Sequence, residues 1–237
     1  MIPGAETDRL DQGYYRQSGT VIQRRDSVKS GNSLLLFLRD LGPRWVCAPG
    51  SSAKSRFCGA IEPLVWGTYD LYQSPTRLYL KSAEVKEDFL SLRTNRSQLM
   101  AAIRFYKNVT KLTMTTHESN KILNVLWSAM VLLKEDCPIE LTEFRYIWKL
   151  LNSAGLAPSL SRCVICGSVI NNCATWTEDG FCCDKCNNKD NSSLSAEEMA
   201  ILQHAALLEH DKFIRWSKQH GDTAVCNNYI GKLLTFF

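Results

Sequence analysis

The chain reads as an α+β protein built in parts: a β-rich front third, then a helical part interrupted by a cysteine-rich insert. Three observations predict this. Runs of β-formers separated by tight turns fill residues 14–85. Beyond about residue 90 the apolar period changes from that of strands to the 3.6 of helices. Six of the ten cysteines fall within RCVICGSVINNCATWTEDGFCCDKC, Arg162 to Cys186. At 237 residues the chain can bury one large core or two modest ones.

The strands are read in order. YYRQSGTVIQRR (14–25) centres on Val21 and Ile22. SLLLFLRD (33–40) follows a Lys-Ser-Gly-Asn turn, and RWVCA (44–48) follows Gly42-Pro43. IEPLVWGTYDLY (61–72) and TRLYLKSAEV (76–85) are separated by Ser74-Pro75. Five short strands in about 75 residues suggest a small barrel or sandwich. Pro49-Gly50-Ser51-Ser52 opens the longest loop, which holds Lys54, Arg56 and Phe57.

The helices follow. Leu99, Ile103, Tyr106 and Leu112 share one face of a helix that starts at an Asn95-x-x-Gln98 capping pair. NKILNVLWSAMVLL (120–133) is apolar almost all round, as a helix buried in a bundle would be. Phe144, Ile147, Trp148 and Leu151 keep helical spacing, and Gly155 with Pro158 ends that helix. Ser195-x-x-Glu198 predicts a capping box for a helix through about Leu208, and a last helix spans Thr223 to Leu234. The domain reading is an N-terminal extension (1–13), a β-domain (14–90) and a helical domain (91–237) with its insert at 161–190.

Within the insert, Cys163-x2-Cys166 and Cys183-x2-Cys186 are separated by 16 residues. Two such knuckles at this spacing predict a four-thiolate zinc site, because each tight turn aims two thiolates at one point. Gly167 follows the first knuckle, where a positive φ helps the backbone turn. The residues between are expected to form a small hairpin with Trp176 and Gly180 in its second half. Cys182 could stand in for Cys183 only by breaking the spacing, and Cys173 reads as a small buried hydrophobe. Six unrelated buried thiols, or a redox pair, are the alternatives. Four thiolates leave no open position for water, so the expected ion is structural rather than catalytic.

Net charge is +4. From Tyr14 to Ala60, eight basic residues (Arg16, Arg24, Arg25, Lys29, Arg39, Arg44, Lys54, Arg56) face Asp26 and Asp40 alone, which is +6 in 47 residues and leaves −2 for the rest. A small β-barrel with basic loops and aromatics suits single-stranded nucleic acid, with cations on phosphates and rings on bases. The candidates are Arg24, Arg25, Lys29, Arg39, Arg44, Lys54, Arg56 and Phe57. Phe57 is the preferred stacking ring because it sits in a loop, whereas Trp45, Trp66, Tyr69, Tyr72 and Tyr79 fall inside strands and read mostly as core. Solvated loop charges are the plainer reading.

Other chemistry is sparse. There is no Walker loop, no GxSxG and no GxGxxG after a strand, and the four histidines are scattered, so no enzyme is read. No apolar run reaches the roughly 18 residues of a membrane span. MIPGAETDRLDQG carries no signal-peptide pattern, so a cytosolic protein with reduced cysteines is expected.

The order of parts, basic β-barrel, helical bundle and four-cysteine insert before the last helices, resembles the bacterial DNA-repair and recombination mediator family RecO. GTVIQRRDSVKSGNSLLLFLRDLG (19–42) is similar to that family's opening hairpin, and APGSSAKSRFCGAIEPL (48–64) to its basic loop and following strand. FRYIWKLLNSAGLAPSLSRCVICG (144–167) matches the family's helix, Leu-x-x-x-Gly-x-x-Pro and first knuckle, and YIGKLLTFF (229–237) is similar to its ending. The chain departs from the family at Gly31-Asn32, where an acidic residue is common, at LFL (36–38) in place of LFT, and at Asp179-Gly180 in place of a glycine pair.

The resemblance implies an OB-fold barrel, a helical domain with a zinc-finger insert, and a non-enzymatic mediator. Such proteins bind single- and double-stranded DNA, work with RecR, engage the tail of single-strand-binding protein, anneal strands and help RecA load. It also implies a cytoplasmic, nucleoid-associated protein, with Lys54 and Arg56 as first choices for phosphate contact. The competing hypothesis is a zinc-stabilised protein-interaction module. A zinc-dependent hydrolase is disfavoured by the all-thiolate site.

Overall fold

The computed structural model describes residues 10–25, 32–49, 57, 59–112, 119–170, 173–187, 193–221 and 223–236. The chain divides into two compact units, Met1–Asn124 and Val125–Phe237.

The first unit is built on five strands: β1 (Gly13–Arg25), β2 (Asn32–Leu38), β3 (Gly42–Ala48), β4 (Trp66–Gln73) and β5 (Leu78–Glu87). They close into a barrel in the order β1-β2-β3-β5-β4. All pairings are antiparallel except β3 with β5, which meet in parallel at Cys47 and Tyr79. Closure rests on β1, whose first part pairs with β4 and whose second part pairs with β2. Gly19 and Thr20 belong to both ladders. An irregularity between Val21 and Gln23 then turns the strand, as a bulge does. Side chains alternating inward from every strand fill the barrel: Val21, Leu34, Leu36, Leu38, Val46, Tyr69, Leu71 and Leu80 are fully buried.

Two glycines make the closure possible. Gly19 stands opposite Gly67 in the β1–β4 ladder. A Cβ on Gly19 would lie 2.2 Å from the Phe37 carbonyl oxygen, and one on Gly67 would lie 2.4 Å from that of Glu84. Any other residue must push neighbouring backbone aside.

The fourth strand starts later than the sequence suggests. Ile61 to Val65 form turns rather than strand, with Leu64 at φ 74° and the Leu64 amide donating to the Val21 carbonyl. Pro63 has no amide to give a ladder, which accounts for the delay.

Helices α1 (Leu90–Thr94) and α2 (Arg96–Leu112) belong to the same unit as the strands. The change of period near residue 90 marks the change from strands to helices. Asn95 Oδ1 accepts from the amides of Ser97 and Gln98 and caps α2. The buried face of α2 is Ala101, Ala102, Phe105, Tyr106 and Val109, while Leu99 and Ile103 are only half-buried. Tyr106 ties α2 to the barrel. Its hydroxyl lies 2.7 Å from Thr20 Oγ1 and 2.8 Å from Trp66 Nε1, all three groups being buried. Burial raises the phenol far above its usual range, so it stays a neutral donor and acceptor.

Helix α3 (Ser119–Lys134) runs across the boundary between the units. It is not buried all round: Trp127 is 38% exposed. The second unit adds α4 (Ile139–Ser153), a two-stranded hairpin of β6 (Ala174–Thr177) and β7 (Gly180–Cys183), then α5 (Ala196–Leu207), α6 (His210–Gln219) and α7 (Ala224–Leu233). The Ser195/Glu198 capping box is formed in both directions. Helix α6 escapes the pattern reading because it is mostly polar, with Phe213 and Ser217 as its buried residues.

Arg145 ties α4 to the end of α5. It is 2% exposed on α4 and donates to the carbonyls of Ala205, Ala206 and Leu208 at 2.9, 3.3 and 2.7 Å. These are the carbonyls a helix end leaves without partners, here the end of α5. Its guanidinium also lies 4.6 Å from the centre of the Phe213 ring. Burial lowers its pKa to about 10, still charged at neutral pH. No helix among the described residues is long and apolar enough to cross a membrane.

Two substitutions test this account by denaturant unfolding. Gly19→Ala should lower stability by about 1–3 kcal/mol or more, through overpacking against β2. Arg145→Leu should cost about 2–4 kcal/mol, because it strands carbonyls in the interior. Both should appear as lower midpoints at unchanged slope.

Candidate metal centre and nucleic-acid interface

The cysteine centre is assembled from two short turns. The first, Ser161 to Ile170, is a small loop closed on itself. The Cys163 amide donates to Ser168, the Gly167 amide returns to Cys163, and Arg162 bridges Val169. Gly167 sits at φ 72°, the conformation the sequence reading anticipated. The second is the end of β7 running into a single 3-10 turn, Asp184–Cys186. The Val164 amide donates to the Phe181 carbonyl and brings the two together. As a result the sulfurs of Cys163, Cys166, Cys183 and Cys186 all lie within 4.8 Å of one another, and those of Cys166 and Cys183 are 3.8 Å apart. Four thiolates so placed can hold one metal ion.

Cys163 is buried, Cys166 is exposed, and the other two are half-buried. Burial works to raise the Cys163 thiol, but hydrogen bonds from the backbone of Cys166, Cys183 and Ile165 outweigh it and pull it down to about 6. Cys166 is also lowered, chiefly by Ser168. Cys186 is pushed up to about 12 by its hydrogen bonds to Cys166 and Cys183. A cation among the four sulfurs would favour their thiolate forms.

The two remaining cysteines of the insert stand outside the cluster. Cys182 is 1% exposed and pairs with Thr175 across the hairpin, and burial raises its thiol. Cys173 is half-buried just before β6.

The hairpin that carries the second turn is anchored on α7. Trp176 meets Phe181 edge-on at 4.8 Å, Tyr229 at 5.5 Å and Phe236 at 6.1 Å, and Phe181 lies 5.4 Å from Tyr229. Lys232 covers the Tyr229 ring at 4.2 Å. Trp176 lies in the first strand of the hairpin, not its second half, and Gly180 opens the second strand.

The basic candidates of the barrel are spread over different environments. Arg24 is ion-paired with Glu62. Arg25, at the end of β1, lies with its guanidinium 4.4 Å from the centre of the Trp45 ring. Arg39 is exposed, and its amide donates to Ser18. Arg44 is half-buried. Lys29, Lys54 and Arg56 lie outside the described residues. Arg16 is paired with both Asp70 and Glu84 at 3.3 Å.

Phe57 requires a correction. It is 2% exposed and packs in the barrel core, so it presents no ring for stacking. A loop position does not keep an apolar ring in water when the mouth of a barrel lies within reach. Among the rings that do stand out are Tyr14, 78% exposed within β1, and Trp45, 40% exposed within β3. Strand parity was the available signal: Val46 and Ala48 point inward, which sends Trp45 outward.

An open groove of about 500 Å³ in the first unit is lined by Ile22, Leu64, Leu99, Ile103, Tyr106 and Lys107, among others.

The chain is similar to known proteins over most of its length. A family model described as "Recombination protein O C terminal" matches residues 98–224, more than half of the chain. The protein named DNA repair protein RecO of Alkaliphilus metalliredigens is 24% identical over 200 residues, covering 83% of this chain and 81% of that protein. Its namesake in Acetivibrio thermocellus is 23% identical over 192 residues, covering 79% and 76%. That of Desulfitobacterium hafniense is 24% identical over 217 residues, covering 87% and 79%.

The metal reading is tested by elemental analysis of the full chain. One ion per chain is the expected content, lost in Cys166→Ser and kept in Cys173→Ser. Because protons compete for thiolates, the ion should be released as pH falls, not as it rises.

Proposed function

This chain belongs to the RecO family, and from that premise we propose that it is a DNA-binding recombination mediator acting in repair without a covalent step. The observation that carries the reading is the charge of the barrel's first half: residues 14–60, which contribute β1, β2 and β3, hold +6 while the remainder of the chain sums to −2. A cationic surface holds phosphate backbones and releases their counterions, and two strands held near it repel each other less. Annealing of complementary strands follows from that alone.

The barrel order β1-β2-β3-β5-β4 supports an OB-fold. In this reading residues 14–90 form the nucleic-acid-binding domain, and 91–237 a helical domain with a zinc-finger insert at 161–190. Arg24, Arg25, Lys29, Arg39, Arg44, Lys54 and Arg56 supply the phosphate contacts for single- and double-stranded DNA. The helical part works with RecR and with the tail of single-strand-binding protein, and the assembly helps RecA load onto coated strands in the cytoplasm, at the nucleoid.

The bound ion is zinc in this reading. Zinc–sulfur bonds of about 2.3 Å set tetrahedrally separate two sulfurs by about 3.8 Å, the spacing of Cys166 and Cys183. Four thiolates fill the coordination sphere, so the ion holds the insert together and activates no water. A second reading, a zinc-stabilised protein-interaction module, is favoured by the apolar groove beside β1 and α2.

Salt-dependent binding of a labelled single strand separates the two. A mediator should lose affinity steeply as salt rises, and Lys54→Ala with Arg56→Ala should flatten the slope by about 0.7 for each phosphate left without its cation. No binding at low salt would leave the interaction module as the better description.

A further inference from the structure

The barrel carries a line of outward-facing residues that can be followed across its strands from one end of β1 to the other. Tyr14 on β1 pairs with Tyr72 on β4, and Tyr72 pairs with Tyr79 on β5. Tyr79 pairs with Cys47 on β3, Cys47 with Ser33 on β2, and Ser33 with Arg25 near the far end of β1. Trp45 lies two residues before Cys47 and so on the same face. The inward positions beside them, Leu71, Leu78, Leu80, Val46 and Ala48, are core.

These rings are not merely the outer wall of the sheet. Tyr14 is 78% exposed and Trp45 is 40% exposed, while Tyr72 and Tyr79 are half-buried. Aromatic rings kept only for cross-strand packing cover one another; here Tyr14 stands largely in water and Trp45 keeps 40% of its surface exposed. Each end of the line carries a cation. Lys81 Nζ lies 5.1 Å from the centre of the Tyr72 ring, which itself lies 4.9 Å from that of Tyr14. Arg25 lies 4.4 Å from the Trp45 ring. Outward rings on the successive neighbours β1, β4, β5 and β3, with cations against Tyr72 and Trp45, combine the two elements that recognise an unpaired strand: π-faces for bases and positive charge for phosphates.

We infer that Tyr14, Tyr72, Tyr79 and Trp45, with Lys81 and Arg25, form a base-stacking row that selects single-stranded over double-stranded nucleic acid. This rests on the reading of the barrel as a nucleic-acid binder and adds its selectivity. A duplex offers phosphates but keeps its bases stacked on each other, so it gains from the cations and not from the rings. The +6 carried by residues 14–60 favours a polyanion over an apolar protein segment as the occupant.

The test uses the full-length protein and three fluorescent probes: oligo-dT, an abasic strand of the same length, and a duplex. The wild type should bind oligo-dT more tightly than the abasic strand. Tyr14→Ser and Trp45→Leu, both at exposed positions, should each weaken oligo-dT binding by about 5- to 150-fold. They should leave duplex and abasic affinity and the salt slope unchanged, since a ring releases no counterions. A thermal melt matching the wild type confirms that the variants fold. If the wild type binds dT and abasic strands equally, or the variants keep full dT affinity, the row is overturned while the nucleic-acid reading stands. If no probe binds at low salt, the nucleic-acid reading itself fails.

Discussion

The first unit depends on one strand serving two neighbours. β1 pairs with β4 along its first part and with β2 along its second, and at Gly19 and Thr20 it does both. A barrel has no edge only if some strand completes the circle, and here the circle closes where two glycines face each other. The absence of side chains at that point lets the backbone of β2 approach β1 and that of β5 approach β4 within contact distance. The outward row of aromatics exists because this closure sets the register of every strand. A slip by one residue would turn Trp45 and Tyr72 inward and expose the leucines that fill the core.

Two polar groups deep in the structure play a similar part. Tyr106 links Thr20 and Trp66 through one hydroxyl, so α2 is attached at the strand that closes the barrel and at the first residue of β4. Arg145 caps α5 from α4, using a charge where most helices use a glycine or water. In both cases a buried polar group is tolerated because its hydrogen bonds run to groups that would otherwise be stranded in the interior.

The cysteine centre is a local assembly. Its two turns lie close in sequence and are joined through a hairpin of two four-residue strands, so cross-linking them fixes only the insert. What extends its influence is the aromatic cluster of Trp176, Phe181 and Tyr229, which seats the hairpin on α7. A bound ion would therefore bear on the C-terminal helix through packing rather than through ligation. The four thiolates leave an ion no vacancy for chemistry, and the positive charge is gathered elsewhere in the chain, so metal binding and the proposed recognition of DNA are separate tasks.

Much of this was legible in the chain itself. The Cys-x-x-Cys spacing identified the four cysteines that converge and set aside Cys173 and Cys182, because knuckle geometry is local and a tight turn admits few alternatives. The Ser195/Glu198 cap, the Asn95 cap and the five strands were visible for the same reason. Local pattern along the chain specifies the parts, their order and the concentration of charge at the front. Which aromatics face water depends on how the barrel closes. Phe57, in a loop, went to the core, and Trp45, in a strand, came to the surface, because burial depends on which way a closed sheet turns each side chain. The tertiary structure also decided that Arg24 answers Glu62 and that Arg145 answers α5, since partners 38 and 60 or more residues away leave no mark in local pattern.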